Sequence, residues 1–139
     1  VATRKDAPLE ASQVLNADGT MRREWREFLA RAPFVSGELA ITSATRTSIS
    51  HGLQVTPGRI SAFLLNKTPE YGVAANRRVV IPVFEDANDY GVQIAASNTD
   101  LSYTIGANGI RIMREDAGNE GQFATVTNGN WKLVIVADA

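Results

Sequence analysis

Two hydrophobic rhythms meet at Pro33. From Thr20 to Ala32 the apolar residues Met21, Trp25, Phe28 and Leu29 recur at helical spacing and make one face. The pattern predicts a helix. Thr20 is placed to cap its first turn by accepting a free backbone N–H, and Pro33 ends it by disfavouring the helical conformation in Ala32. Arg23, Glu27 and Arg31, spaced four apart, add a few tenths of a kcal/mol per pair. A helix this short is marginal alone, so its apolar face is expected to pack on the rest of the chain or on copies of itself. Before it, residues 1–18 show neither rhythm, contain Pro8 and run into the turn cluster Asn16-Ala17-Asp18-Gly19. They read as an extended arm that docks through Leu9, Val14 and Leu15.

After Pro33 the period becomes two. Ile60, Ala62 and Leu64 share one face of a strand, and Phe63 and Leu65 share the other. A strand apolar on both faces belongs at the centre of a sheet or at a subunit contact. Val79, Ile81 and Val83 form a second strand, with Pro82 marking an edge or bulge. Val92, Ile94 and Ala96 follow, then Leu101, Tyr103 and Ile105, then Ile110 and Ile112, then Phe123 and Thr125. The last strand alternates Trp131, Leu133 and Ile135 with Lys132, Val134 and Val136. Gly106-Ala107-Asn108-Gly109 and Asn128-Gly129-Asn130 carry the Asn-Gly signal of a hairpin turn. Short strands without intervening helices predict a mainly β chain, an antiparallel β-sandwich or jelly-roll-like barrel. The expected division is an arm and anchoring helix over 1–33 and a β-sandwich knob over 34–139.

Composition narrows the function. The chain has 139 residues, 44% of them apolar, which is material for one domain with a single core. Its formal net charge of −1 gives no basic footprint for nucleic acid. It has no cysteine, so disulfides and thiolate chemistry are excluded, and oligomerisation is the expected source of added stability. No apolar run approaches the roughly 20 residues that span a bilayer, and the leading Val1-Ala2-Thr3-Arg4-Lys5-Asp6 is unlike a secretory signal. A soluble product made in the cytoplasm and carried on a particle is the expectation.

Candidate chemistry is sparse. His51 is the sole histidine, which excludes a multi-histidine zinc site. No Gly-x-Ser-x-Gly elbow accompanies it, so it reads as a structural histidine bonded to backbone. Glu85, Asp86, Asn88 and Asp89 cluster before Tyr90-Gly91, and Asp86, Asn88 and Gly91 match the early positions of a calcium loop. The match fails at Tyr90 and lacks a closing glutamate, because Ser97 stands there. Neither Gly-x-Gly-x-x-Gly nor a Walker A loop is present. Trp131 and Tyr103 fall in alternating apolar faces and read as core. Tyr71 and Tyr90 lie beside glycines at loop ends, positions as well suited to surface ligand contacts as to packing. No catalytic residue, cofactor or metal is expected.

Four segments from His51 onward carry a resemblance. They are His51-Gly52-Leu53 with Thr56-Pro57, Asn66-Lys67-Thr68-Pro69-Glu70-Tyr71-Gly72, Asn108-Gly109-Ile110, and Asn128-Gly129-Asn130-Trp131-Lys132-Leu133-Val134. In this order they resemble the β-domain at the ends of small bacteriophage tail-fibre, head-fibre and prophage appendage proteins. Leu15-Asn16-Ala17-Asp18-Gly19-Thr20 leading into Trp25 and Phe28 resembles the anchor helix near phage fibre N-termini. After the Tyr-Gly turn the family often continues Ser-x-Gly-Asp, where this chain has Val73-Ala74-Ala75-Asn76-Arg77-Arg78, so no receptor contact is carried over for that loop.

The resemblance implies a structural component of a virion, a homotrimeric fibre, spike or decoration appendage, and not an enzyme. Its oligomer and anchor contacts would be Leu9, Leu15, Met21, Trp25, Phe28 and Leu29. Its partners would be copies of itself and other virion proteins of the capsid, neck or tail. Tyr71 and Tyr90 are the candidate contacts for a host surface glycan, the alternative role being a receptor- or glycan-binding adhesin. A polysaccharide hydrolase, which needs two spatially paired carboxylates, has no sequence feature in its favour.

Overall fold

The computed structural model describes residues 32–82 and 87–139. The expected arm and helix, with Leu9, Leu15, Met21, Trp25, Phe28 and Leu29, lie outside the described residues, as do Val83, Glu85 and Asp86.

The described residues are mainly β, and their sheets are antiparallel. The strands are β1 (Phe34–Val35), β2 (Arg46–Ser50), β3 (Arg59–Asn66), β4 (Arg78–Ile81), β5 (Val92–Ala96), β6 (Asp100–Ile105), β7 (Arg111–Met113), β8 (Phe123–Thr125) and β9 (Trp131–Asp138). They form a four-stranded sheet in the order β1-β9-β3-β4, a three-stranded sheet β2-β6-β5 and a pair β7-β8. β3 is central, as its two apolar faces predict, and its whole length pairs with β9, from Arg59 opposite Asp138 to Asn66 opposite Trp131. β4 is an edge strand that ends just before Pro82, where a missing N–H costs no ladder bond.

One core cluster joins the buried faces. Leu64, Leu133 and Ile135 of the larger sheet are fully buried with Leu101 of the smaller one and with Trp131. Truncating any of these leucines or the isoleucine to alanine costs about 2–5 kcal/mol. Tyr103 belongs to the same cluster, so it and Trp131 are core, as the alternation implies.

Three features were not legible in the period. β1 and β2 are short and mostly exposed, so they carry little apolar signal. β1 is prolonged along β9 by a serine. Ser36 Oγ accepts the Ile135 N–H at 2.9 Å, and Leu39 and Leu133 then exchange backbone bonds of 2.8 and 2.9 Å. The Asn-Gly turns also differ from expectation. Neither closes a hairpin: residues 106–109 lead from β6 to β7, and 128–130 from β8 to β9, each pair lying in different sheets. The 106–109 turn is held by another loop instead, through Gly91 N–H to Gly109 C=O at 2.8 Å and Asn108 N–H to Asp89 C=O at 3.0 Å.

Candidate functional site

The side chains that first suggest chemistry serve as struts. Buried His51 accepts the Leu53 N–H at Nδ1, 3.0 Å away, which places its proton on Nε2. Nε2 then donates to the Ser97 carbonyl at 2.8 Å. Both ring nitrogens are therefore committed to backbone, the structural role read from the sequence. Asn66, fully buried, donates to the carbonyls of Val73 and Ala74 at 2.8 and 3.2 Å, and its Oδ1 accepts the Thr68 N–H at 3.1 Å.

The Glu70-Tyr71-Gly72 turn is a clamp between distant segments. Glu70 and Val73 exchange backbone bonds, while the Glu70 carboxylate reaches the turn before β9. It accepts Thr127 N–H at 2.7 Å, Asn130 Nδ2 at 2.8 Å and Trp131 Nε1 at 3.2 Å. Partial burial disfavours the charged form, but the bonds from Thr127, Asn130 and Trp131 more than offset this and hold the pKa below the ordinary glutamate value. Gly72 adopts φ +83°, and a Cβ there would lie 2.4 Å from Asp116 N. Glu115 N–H donates to Tyr71 C=O at 2.9 Å across this close approach. Beside it Arg114 makes a forked pair with Asp116, at 2.9 and 2.6 Å. The hydrogen bonds from Arg114, aided by one from Asn119 and opposed by desolvation, lower the Asp116 pKa to about 2.

The two candidate tyrosines have different surroundings. Tyr71 is half-buried; its hydroxyl donates to Thr125 C=O at 2.7 Å, and the Arg114 guanidinium stands 5.3 Å from its ring centre. Tyr90, also half-buried, is backed by the Arg111 guanidinium at 4.2 Å and lines an open hollow of about 520 Å³. Asp89, Gln93 and Thr104 line this hollow together with the small residues Ala44, Gly91, Gly106 and Ala107. Two segments that shape it are strained: Asn88 and Asp89 before β5 have φ of 55° and 63°, and Ala44 in the turn before β2 has φ of 55°. Asn and Asp tolerate this left-handed region, whereas for alanine it costs about 1–2 kcal/mol. Such strain persists only where neighbouring structure imposes it.

The sheets present unlike outer faces. Across β2-β6-β5, Arg46, Thr104 and Gln93 align in one row, and Ser48, Ser102 and Ala95 in the next. This face is polar. Across the four-stranded sheet, Val134, Phe63 and Val80 align in one row, and Val35, Val136 and Ser61 in another. Val80 is 81% exposed and Val35 59%. Arg78 covers Phe63 with its guanidinium at 4.9 Å. Sequence alternation put Phe63 on the second face of β3 but gave no register. The hollow of Asp89, Gln93 and Thr104 was missed because its members are single polar residues on three segments.

No model of a known protein family matches the chain, and no curated protein matches it.

Proposed function

We propose that this chain is a structural component of a bacteriophage particle, a homotrimeric fibre, spike or decoration appendage whose β-sandwich, jelly-roll-like knob is tethered by its leading segment. The observation that carries the reading is the apolar outer face of β1-β9-β3-β4. Val35 and Val80 are exposed there, Val136 and Phe63 are half-buried between them, and Val134 is buried in the row of Phe63 and Val80. An apolar stripe on a sheet face favours association with further apolar surface, and copies of the same chain supply it by symmetry. The edge of β4, unpaired among the described residues, would be covered in the same assembly. The virion assignment rests on the phage-appendage resemblance. Its central segments are united by the Glu70 carboxylate, which bonds the terminal Asn130-Trp131 turn.

The test is particle mass in solution. Light scattering of the purified chain at roughly micromolar concentration should return three protomers, and Val80→Asp should lower that mass. A wild-type monomer at that concentration removes the reading.

A second reading, contact with a host surface glycan, is favoured by the hollow beside Tyr90. A polar outer face opposite in character to the apolar one would point away from the trimer contacts and remain open to ligand.

A further inference from the structure

We infer that the hollow on the β5-β6 side of the molecule binds a neutral sugar ring of a polysaccharide, with Tyr90 as its stacking platform and Asp89, Gln93 and Thr104 as its hydroxyl-reading groups. The inference rests on the glycan-contact reading and gives it a location.

The chemistry of the hollow selects the ligand class. Gln93 and Thr104 are direct cross-strand partners and both are exposed, so their polar ends stand side by side. An amide and a hydroxyl each donate and accept, and the Asp89 carboxylate accepts. Vicinal hydroxyls of a pyranose also donate and accept, so the set is complementary to them. The C–H face of the ring is apolar and suits an aromatic surface that has a polar handle. Tyr90 supplies that surface. The Arg111 guanidinium covers one face of the ring at 4.2 Å and is not among the residues that line the hollow, so it restrains the ring and less side-chain freedom is lost on binding.

The Asp89-Tyr90 loop lies tight against the end of β6. A Cβ on Gly106 would lie 2.2 Å from the Asp89 carbonyl oxygen, so glycine lets the Asp89-Tyr90 loop seat against this strand end. The loop is then pinned by Gly106 N–H to Gly91 C=O at 2.9 Å and Asn108 Nδ2 to Asn88 C=O at 2.7 Å. A volume of about 520 Å³ lies within the roughly 300–1,000 Å³ of small-ligand sites. The exposed Asp89 opposes an anionic ligand, and the polar ends of Gln93 and Thr104 favour a hydroxyl-bearing ligand over a purely apolar one. A second hollow of about 260 Å³, lined by Arg46, Ser48, Ser97, Asp100 and Ser102, continues along the same sheet face. The Arg46-Thr104-Gln93 row joins the two, which gives a track for successive sugar units.

Tyr71 offers a poorer site. Its hydroxyl is engaged by Thr125, and the shallow surface beside it is built mainly from its own turn, Pro69 to Ala74.

The test is a titration of the ¹⁵N-labelled full chain with glucose, galactose, N-acetylglucosamine and rhamnose, and with neutral oligosaccharides released from bacterial lipopolysaccharide. At least one should shift the amides of Tyr90, Gln93 and Thr104, with affinity of about millimolar for single sugars. Tyr90→Ala and Gln93→Ala should each weaken binding about tenfold or more, while Tyr71→Phe leaves it unchanged. Gln93 is exposed, so its variant keeps the test valid if Tyr90→Ala does not fold. Shifts confined to another surface, with binding undiminished in Gln93→Ala and Tyr90→Ala, overturn the site and leave the glycan reading standing. No shift with any of these sugars overturns both.

Discussion

The carboxylate of Glu70 accepts the indole N–H of Trp131 at 3.2 Å, joining a surface turn to the most buried aromatic of the core. The same carboxylate satisfies the Thr127 N–H and the Asn130 amide, so the entry to β9 is held before the strand begins. Glu70→Gln keeps the size but loses the charge that strengthens all three bonds, and Glu70→Ala also strands a buried indole donor. The expected costs are about 1 kcal/mol for Glu70→Gln and about 2–3 kcal/mol for Glu70→Ala, measured as the shift in urea midpoint at constant slope.

Stability should depend on acid in a defined direction. The pKa values of Glu70 and Asp116 both lie lower in the folded chain than their ordinary values, Asp116 at about 2. Each carboxylate therefore contributes fully above its unfolded pKa, and its contribution is lost as pH falls through the folded value. Melting temperature should fall as pH drops from about 5 toward about 2. The double variant Glu70→Gln/Asp116→Asn should start lower at neutral pH and fall less over that interval. Thermal melts followed by circular dichroism check both, and an equal fall in the variant would remove these two groups as the cause.

Gly72 and Gly118 separate two costs of adding a methyl group. Both have positive φ, +83° and +84°, but a Cβ on Gly72 would meet the Asp116 backbone at 2.4 Å, whereas one on Gly118 meets nothing within 4 Å. Gly118→Ala should cost about 1 kcal/mol, the left-handed penalty alone. Gly72→Ala should cost about 3 kcal/mol or more, because rigid backbone must also move apart. Chemical denaturation of the two variants side by side reads the difference.

Asn66 tests the buried polar turn in another way. Its amide nitrogen faces two carbonyl oxygens, and its own oxygen faces the Thr68 N–H. Asn66→Asp preserves the shape but aims a negative oxygen at two acceptors in a fully buried site. Its expected cost at neutral pH is about 3 kcal/mol or more, with partial recovery in acid as the carboxyl becomes protonated and able to donate. Asn66→Ser should be milder. Denaturation at two pH values distinguishes the pair.

Much of the fold was written in local pattern. Ile60 to Leu65 announced a central strand, Pro82 an edge, and the alternation from Trp131 the last strand, because side-chain period two reports burial directly. His51 was legible as structural from the lack of partners for chemistry. Strands whose residues are mostly exposed, such as Arg46–Ser50, leave no such trace. The Asn-Gly signals marked turns correctly but not what they join, since a turn residue specifies local backbone angles and not the sheet on either side. The Glu70 clamp was present as a motif whose meaning depends on bonds to residues about sixty positions away, and no spacing rule carries that. The Tyr90 hollow required the register of β5 on β6, which hydrophobic pattern leaves open on a polar face.

Self-association through the outer face of the larger sheet should have an apolar signature. Val35, Phe63, Val80, Val134 and Val136 carry no charge, and the rows at either end hold Arg78 with Lys132 and Arg59 with Asp138, an excess of positive charge, so net like charge approaches when two such faces meet. Added salt screens that repulsion and leaves the apolar term intact. Association should therefore persist or tighten as sodium chloride rises, tighten further in sulfate, and weaken on cooling, because the hydrophobic driving force fades at low temperature. The heat-capacity change of association should be negative. Val80→Asp places a carboxylate on the most exposed apolar residue, at the β4 end of the stripe, and should weaken assembly at every temperature, while Ser48→Asp on the opposite polar face should leave it unaffected. Sedimentation equilibrium across salt and temperature reads all of these, and dissociation by high salt with no response to Val80→Asp would place the contact between copies elsewhere on the molecule.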